Sequence, residues 1–217
     1  MAKPAGNESA PARNPVRTRE RILVAALKEF SAKGFAGARV DVIARRASIN
    51  KRMLYHYFGD KEGLFKAVLR RKVSQRQAWA ENLSGDPAET LAFWFEAACK
   101  DLDWVRMLEW EGLQHNGKII DEKERVETVA RGLKRIRQRQ DRGLLSSDLD
   151  PRQIMLTMRS LTMFPAAFPQ LTRLITGRAL HDPVFQKERG EFLKKIASVL
   201  RPAHGNRAKI NVVASSS

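Results

Sequence analysis

The sequence of 217 residues contains little cysteine and little histidine. Its single cysteine, Cys99, excludes an intrachain disulfide scaffold and a zinc site built from several thiolates. The histidines are too widely separated to suggest a metal-binding cluster; they are His56, His115, His181 and His204. We therefore expect neither a metal site nor a cofactor.

Long apolar runs and strand-like patterns are also missing. No stretch of about eighteen apolar residues occurs, so no membrane-spanning helix is expected. Residues 1–15 lack the apolar stretch of a secretory signal. No segment alternates apolar and polar residues between turn signals, so we expect no sheet. Glycine-rich phosphate loops and nucleophile elbows are absent too, and these absences together favour a cytoplasmic, non-enzymatic protein.

What the sequence does contain is an excess of positive charge. There are 40 Lys and Arg against 24 Asp and Glu, which gives a net charge of +16. Residues 1–80 hold eighteen of the basic and six of the acidic residues, so about a third of the chain carries a net +12. This asymmetry favours a polyanion-binding module joined to a nearly neutral one. Charge alone is equally compatible with a basic surface that only keeps the protein soluble.

Apolar residues recur with helical spacing along most of the chain, which predicts an all-α fold. The expected helices cover 17–33, 40–47, 51–57, 61–83, 88–101, 104–115, 121–142, 151–175 and 184–200. A breaker at 84–87 separates two domains. The expected organisation is a disordered N-terminal arm (1–16), a basic domain (17–84), a larger helical domain (85–201) and a disordered C-terminal tail (202–217).

Two short helices separated by a tight turn lie at the centre of the basic domain. The first covers 40–47 and the second 51–57, and Asn50 is placed to cap the second. Such a pair cannot bury its apolar faces alone, so the helices at 17–33 and 61–83 must supply the remaining walls. The arrangement is a helix-turn-helix, whose second helix enters the major groove of DNA.

The exposed residues of this second helix suit contact with DNA. Its N-terminal end carries Asn50, Lys51 and Arg52, and this end meets the base edges in such motifs. A bidentate contact from Arg or Lys to guanine discriminates between bases by ~1–3 kcal/mol. Three further side chains are expected to reach phosphates: Tyr55, His56 and Lys61.

A family resemblance becomes specific at these residues. Its hallmarks are Ile43-Ala44, Leu54-Tyr55-x-Tyr57-Phe58, Lys61-Glu62-x-Leu64-Phe65 and, upstream, Phe30-x-x-Lys33-Gly34-Phe35. With these residues, the stretch VDVIARRASINKRMLYHYFGDKEGLFKAVL at 40–69 resembles the DNA-binding domain of the TetR family of bacterial transcriptional repressors. The resemblance covers about residues 17–70, whereas the second domain shares only its helix number and length with the family.

The resemblance implies roles for individual residues of the basic domain. Lys51 and Arg52 occupy positions similar to those of base-reading residues, and Tyr55 and Lys61 resemble phosphate anchors. Tyr57 stands where a DNA-contacting His or Tyr is common. Two other residues resemble core positions and are not expected to touch DNA: Leu54 and Phe58.

The basic domain also departs from the family pattern at two places. Ser48 stands where glycine is common in the turn, and a positive φ there would cost serine more than glycine. Ala38-Arg39 replaces a capping threonine, and we expect Arg39 to contact a phosphate instead.

The resemblance further implies that the second domain holds a ligand pocket and dimerises through its last two long helices, here 151–175 and 184–200. The segment 151–164 is apolar around much of its circumference, more than one core-facing stripe requires. A partner helix is the expected use of the extra face. Packing of both faces within one subunit is the alternative.

Candidates for the ligand pocket are apolar residues with a few polar groups, the usual lining of such sites. They are Trp94, Trp104, Met107, Trp110, His115, Met158, Phe164 and Phe168. An aromatic stripe at helical spacing also forms ordinary core, and Cys99 is expected to be a small core residue. The basic run at 131–142 is interpreted as a solvated helix face.

These observations predict a homodimeric repressor that binds a pseudo-palindromic operator and is released by a small apolar or amphipathic effector. Three alternatives stay open. A nonspecific architectural DNA-binding protein would depend on charge alone. An enzyme would use Glu111 and His115, which lie one helical turn apart, although a solvated helix face also explains them. A ligand-independent regulator or an activator would keep specific DNA binding.

Overall fold

A computed structural model of the protein describes residues 14–114 and 119–202, and within these ranges it contains helices and no strands. The helices are α1 (Pro15–Gly37), α2 (Val40–Arg46), α3 (Lys51–Phe58), α4 (Lys61–Glu81), α5 (Pro87–Lys100), α6 (Leu102–Gln114), α7 (Glu122–Asp141), α8 (Pro151–Ala167), α9 (Pro169–Thr176) and α10 (Pro183–Ile196), followed by a 3-10 turn, Ala197–Leu200. The predicted all-α class is confirmed. None of the described helices combines the length and the hydropathy that crossing a membrane requires.

The first helix begins earlier than the sequence predicted. Asn14 caps α1, because its side-chain oxygen accepts hydrogen bonds from the backbone N–H groups of Val16 and Arg17 at 3.0 and 3.3 Å. Pro15 has no backbone N–H that requires an acceptor, and it occupies the first helical position. The expectation of disorder over 1–16 is therefore wrong for Pro15 and Val16. The rest of the predicted tails, residues 1–13 and 203–217, lies outside the described part of the chain.

The segment 151–175 forms two helices, whereas the sequence predicted one. Phe168 has φ −124° and ψ 64°, which ends α8, and Pro169 begins α9. Pro169 lacks an N–H for the helical ladder and restricts the backbone of the residue before it. Pro165 lies inside α8 without ending it. The break therefore comes from Pro169.

Three helices of the second domain begin with the same Asp-Pro device. The carboxylates of Asp86, Asp150 and Asp182 accept hydrogen bonds from backbone N–H groups in the first turns of α5, α8 and α10. The proline that follows each aspartate occupies the first helical position, where no N–H partner is needed. The Asp-Pro pairs at 150–151 and 182–183 therefore mark the starts of α8 and α10.

The chain divides into two compact units between Arg71 and Lys72, inside α4. The sequence prediction placed the domain boundary at 84/85, where the helix ends. Side-chain pairing explains the difference, because Arg71 pairs with Glu20 of α1 in the first unit. Lys72 is buried in the second unit and donates to both carboxylate oxygens of Asp101, each at 2.8 Å.

An aromatic cluster forms part of the core of the first unit. The ring of Phe65 meets Phe30 edge-on with centroids 4.9 Å apart, and it meets Phe35 at 5.3 Å. Gly34 makes this possible, since its φ of 66° interrupts α1 and turns Phe35 onto the cluster. The Phe-x-x-Lys-Gly-Phe pattern is therefore a packing motif. Leu54 of α3 is fully buried in this unit, as predicted.

The core of the second unit is built around α5, which packs against α8 and α10. Its largest fully buried members include Leu91, Ile154 and Leu193, and the rings of Phe95 and Phe185 meet edge-on at 6.1 Å. Cys99 is buried in this core, and burial together with the charge of Glu96 raises its pKa to about 11. A thiol with this pKa carries almost no thiolate at neutral pH and is unreactive.

We predict that replacement of Gly63 by alanine destabilises the first unit by at least ~1–3 kcal/mol. A Cβ at this position would lie under 3.0 Å from the backbone carbonyl oxygen of Phe58, so α3 or α4 must shift. Thermal unfolding measures the effect. Gly37→Ala is the matched control, because its Cβ would meet Lys33 at an ordinary 3.5 Å. Equal melting temperatures for the two variants would contradict the close approach.

Candidate nucleic-acid interface and ligand cavity

The turn between α2 and α3 has the conformation that the family resemblance implied. Ser48 adopts φ 54°, in the left-handed region that costs a residue with a side chain about 1–2 kcal/mol. The turn is closed by hydrogen bonds from Ser48 N–H to the Arg45 carbonyl at 3.1 Å and from Ile49 N–H to the Ala44 carbonyl at 3.0 Å. The serine therefore takes a strained conformation that glycine would take more easily.

α3 presents one apolar face inward and a basic, aromatic face outward. Leu54 is fully buried, while Lys51, Arg52, Tyr55 and His56 are exposed, with Tyr55 44% accessible. Helical spacing explains this division, because Leu54 alone among these residues faces the surrounding helices.

Asn50 has the capping role expected of it. Its side-chain oxygen accepts a hydrogen bond from the backbone N–H of Met53 at 2.8 Å. The oxygen is therefore engaged in holding the start of α3, and the side-chain NH₂ group supplies two donors for a base or a phosphate. The cap also fixes the direction in which the next two side chains, Lys51 and Arg52, leave the backbone.

The remaining predicted residues of α3 are less exposed. Tyr57 is half-buried, and its ring packs edge-on against His56 with centroids 5.9 Å apart. Phe58, expected in the core, is only half-buried, because the guanidinium of Arg19 covers its ring at 5.3 Å. This cation–π contact replaces burial among apolar neighbours.

Lys61 has a structural contact that the sequence did not reveal. Its ammonium donates to the carbonyl of Ala36 at 3.1 Å and lies 5.0 Å from the centre of the Phe35 ring. Burial lowers the pKa of Lys61. An ammonium group has three donors, so a phosphate contact remains compatible with this position.

A buried carboxylate, which sequence reasoning missed, holds α2 against α1. Glu29 is 5% exposed and lies 3.1 Å from the guanidinium of Arg46. It also accepts the backbone N–H of Arg39 at 3.4 Å, which fixes the start of α2. The side chain of Arg39 stays largely exposed and pairs with Asp41 at 3.4 Å. The sequence feature that could have indicated this ion pair is an acidic residue next to Phe30, on the buried side of α1.

A cavity of about 270 Å³ lies in the second unit, bounded by residues of α4 to α8. Three of the predicted ligand-binding residues line it: Trp94, Trp104 and Met158. Two more methionines, Met155 and Met163, add to its apolar wall. Its volume is close to the ~300 Å³ at the lower end of small-molecule sites.

The other predicted pocket residues lie elsewhere. Met107 is fully buried in the core, and Trp110 is half-buried outside the cavity wall. Phe164 and Phe168 are 41% and 52% exposed on the outer surface, with ring centroids 5.1 Å apart. His115 lies outside the described residues. Apolar character was visible in the sequence, but the place where packed helices leave a gap was not.

Arginine is the residue type that sequence reasoning missed at the cavity. Five arginines line it: Arg76, Arg125, Arg135, Arg139 and Arg159. Arg135 and Arg139 belong to the basic run at 131–142 that was interpreted as a solvated helix face, and this interpretation is wrong for both. They stand one helical turn apart, so they share a face of α7. The four-residue spacing of Arg135 and Arg139 was the sequence feature that could have indicated a shared basic face.

Arg76 is enclosed by aromatic rings. Its guanidinium carbon lies 5.8, 5.1 and 5.6 Å from the ring centres of Trp79, Trp94 and Trp104. Asp101 lies 3.6 Å from one of its terminal nitrogens. Burial lowers the pKa of Arg76 to about 10; the charge of Asp101 opposes this shift, and the like charge of Arg159 adds to it.

Glu111, half of the pair considered for an enzyme, is engaged in an ion pair. One guanidinium nitrogen of Arg125 lies 2.5 and 2.7 Å from its two carboxylate oxygens. The backbone N–H of Ile120 adds a third contact at 3.4 Å. Its position in this pair favours a structural role.

Within the described ranges, no group of three His, Cys, Asp or Glu residues is placed to hold a metal ion.

Exposed apolar side chains concentrate on the last three helices. We call this set the α8–α10 apolar surface; it comprises Leu156, Phe164, Phe168, Leu171, Leu174, Ile175, Val184 and Phe192. Leu174 and Ile175 are 82% and 70% accessible. All eight side chains are exposed in the single chain.

Known proteins resemble the chain over both units. The profile of bacterial regulatory proteins of the tetR family matches residues 22–68, and that of the tetracyclin repressor-like C-terminal domain matches residues 90–198. The HTH-type transcriptional repressor SCO4008 of Streptomyces coelicolor is 32% identical over 173 residues, which are 76% of this chain and 87% of that protein.

A second relative and a solved structure agree with these matches. The HTH-type transcriptional repressor NicS of Pseudomonas putida is 34% identical over 160 residues, 68% of this chain and 75% of that protein. The crystal structure of the transcriptional regulator SCO4942 of Streptomyces coelicolor has a TM-score of 0.71 at 29% identity and covers 85% of this chain and 98% of its own. The helix-turn-helix, the helical second unit and these matches lead to one conclusion: the chain belongs to the TetR family of bacterial regulatory proteins and is a DNA-binding transcriptional regulator.

Proposed function

We propose that the protein is a ligand-responsive repressor that binds a pseudo-palindromic operator as a homodimer. The observation that carries the DNA-binding part is the division of α3, which buries Leu54 and leaves Lys51 and Arg52 exposed at its N-terminal end. This end meets base edges in helix-turn-helix proteins. Two relatives that match over 160 residues or more at above 30% identity carry the name of repressors, which supports this direction of regulation.

The proposed DNA interface consists of base-reading and phosphate-binding side chains. Lys51 and Arg52 read bases, and six others position the domain: Arg39, Asn50, Tyr55, His56, Tyr57 and Lys61. No ion pair engages Arg52 within the described residues, so its guanidinium is available for a bidentate contact with guanine. The domain limits of 17–84 and 85–201 stay predictions, with α4 contributing to both sides of Arg71.

Dimerisation is assigned to the α8–α10 apolar surface. A two-fold dimer buries the same patch on both subunits, so self-complementary apolar helices suit it. The helices that carry the surface overlap the segments 151–175 and 184–200 that the sequence proposed for this role. Phe164 and Phe168, first considered for the pocket, belong to this surface.

Release from DNA is assigned to a ligand in the cavity. α4 contributes Val73, Arg76, Gln77 and Ala80 to the cavity wall, and the same helix begins in the DNA-binding unit at Lys61. A ligand that prefers one position of α4 would shift the population of dimers toward a spacing unsuited to the operator. Such a shift requires different affinities for the two states, since equal affinities shift nothing.

A binding selection on a random duplex library at physiological salt tests the whole proposal. We expect an enriched palindrome that is preferred over scrambled DNA by about 10³-fold or more. No enrichment, together with binding that falls steeply as salt rises, would support the architectural alternative instead.

We predict that Arg52→Ala weakens binding to the selected palindrome by ~1–3 kcal/mol and relaxes base preference at one position of each half-site. The physical reason is the loss of a bidentate contact with a base. Fluorescence anisotropy on cognate and scrambled duplexes measures both effects. Arg142→Ala, an exposed cation of the second unit, is the matched control for net charge. Equal losses on both duplexes would contradict base reading by Arg52.

We predict that Lys61→Met weakens binding to cognate and scrambled DNA alike and reduces the slope of log K against log salt by about one. Methionine preserves an alkyl chain over Phe35 but removes the charge that would contact a phosphate. Titrations at several salt concentrations measure the slope. An unchanged slope with an unchanged melting temperature would remove Lys61 from the phosphate contacts.

We predict that Leu174→Glu converts the dimer into monomers and abolishes cooperative binding to the palindrome. The side chain is 82% exposed in the single chain, so the subunit fold tolerates a charge that a dimer interface does not. Light scattering coupled to size exclusion measures the mass. Leu113→Glu is the matched control, because Leu113 is 76% exposed on α6, away from the α8–α10 apolar surface. An unchanged dimer in Leu174→Glu would place the interface elsewhere.

A further inference from the structure

The wall of the cavity has an unusual charge composition. It contains five arginines and no aspartate or glutamate among the described residues that line it. Like charges gathered around one cavity repel one another unless an opposite charge lies among them, and here Arg135 and Arg139 are half-buried while Arg159 is exposed. The missing negative charge is therefore the feature that requires an explanation.

Two of the five arginines have carboxylate partners outside the cavity wall. Arg125 pairs with Glu111, and Arg76 lies near Asp101. The other three are Arg135, Arg139 and Arg159, and within the described ranges no carboxylate pairs with any of them and no acceptor takes a hydrogen bond from their guanidinium groups. Arg139 and Arg135 share one face of α7, and Arg159 approaches from α8.

Desolvation and like charge both lower the pKa of two of these arginines, Arg139 and Arg159. Burial lowers the pKa of Arg159, and the like charge of Arg125 adds to the shift. Burial also lowers the pKa of Arg139, where Arg135 supplies the like charge. Both causes act against the charged form, so an anion in the cavity would reverse part of each shift.

The neutral polar groups of the wall are engaged in internal hydrogen bonds. Thr90 donates to the Asp86 carbonyl at 2.7 Å, and Thr162 donates to the Met158 carbonyl at 2.8 Å. Thr128 donates to the Glu124 carbonyl at 3.0 Å and accepts from the amide of Gln77 at 2.7 Å. The charged donors left for a ligand are consequently guanidinium groups: those of Arg135, Arg139 and Arg159, together with one terminal nitrogen of Arg76 that is buried without a hydrogen-bond partner.

We propose that the cavity binds a small aromatic anion, whose carboxylate or phosphate is held by Arg135, Arg139 and Arg159. Planar guanidinium groups match both kinds of anion with two parallel hydrogen bonds. The ring of the ligand lies against Trp94, Trp104 and Met158, the apolar part of the same wall. The cavity volume of about 270 Å³ suits a compound with a single ring. This inference rests on the proposed effector role of the cavity and adds the charge of the effector.

Four probes of similar size test the charge preference in the full-length protein. They are phenylacetate, its neutral isostere phenylacetamide, the cation phenethylamine and the dianion phenyl phosphate. Quenching of tryptophan fluorescence reports binding, because Trp94 and Trp104 line the cavity. We expect at least one anion to bind about tenfold or more tightly than phenylacetamide, which corresponds to ~1.4 kcal/mol.

Three results of this comparison would contradict an anion site. Equal affinity for phenylacetamide, tighter binding of phenethylamine, or no saturable binding of either anion overturns the proposal. Preference for phenyl phosphate over phenylacetate assigns a phosphate monoester to the site, and the reverse order assigns a carboxylate. Inorganic phosphate alone measures the share of affinity that comes from charge without a ring.

Substitutions test whether the arginines act on the ligand. We expect Arg159→Gln and Arg135→Gln each to reduce the affinity for the preferred anion about tenfold and to leave that for phenylacetamide unchanged. Arg137→Gln is the matched control, because it removes the same charge from an exposed position of α7 outside the cavity wall. An equal loss in Arg137→Gln would attribute the effect to net charge and overturn the site.

Thermal unfolding supplies a readout that loss of a structural ion pair would lower. Because Arg159 is exposed and has no carboxylate partner among the described residues, Arg159→Gln is expected to leave the melting temperature without ligand unchanged within about 1 °C. The preferred anion should raise the melting temperature of the wild-type protein more than that of the variant. A lowered melting temperature in ligand-free Arg159→Gln overturns the claim that its charge is uncompensated.

Operator binding separates failure of this inference from failure of the proposed function. An anion that binds selectively but leaves operator affinity unchanged supports the anion site and contradicts ligand-responsive repression. Release of the operator by phenethylamine without binding of either anion supports responsive repression and overturns the anion site. Binding of the anion with loss of operator affinity supports both.

Discussion

The structure of the DNA-binding unit depends on burial of one face of a very short helix. α3 has eight residues, and an isolated helix of this length is not stable in water. Leu54 holds α3 inside the unit, and Asn50 satisfies a backbone donor at its start. The exposed basic side chains can be aimed at DNA only because this inner face is fixed. The strained Ser48 and the close approach at Gly63 are consequences of packing α3 between α2 and α4.

α4 contributes side chains to both units. Its first half supplies Phe65 to the aromatic cluster that supports α2 and α3, and its second half supplies Lys72 to the buried pair with Asp101. In the proposed mechanism, α4 is the element through which a ligand in the cavity would act on the DNA-binding unit.

The cavity gathers like charges around an apolar space. Its arginines repel one another, and a negatively charged ligand would relieve this repulsion. Perturbed charges of this kind cluster at functional sites. Arg76 differs from them, because indole faces and the carboxylate of Asp101 surround its guanidinium, although one terminal nitrogen makes no hydrogen bond. The contrast between paired and unpaired arginines separates structural from ligand-binding positions.

The sequence by itself determined most of the helices, the cap at Asn50 and the inward direction of Leu54, because these depend on residues within one or two turns. It also identified the basic, aromatic face of α3 for the same reason. Tertiary structure alone decided that Arg135, Arg139 and Arg159 share a cavity, that Phe164 and Phe168 face outward, and that Glu29 holds α2. These relations join side chains on different helices, and the distance between packed helices is set by the whole core.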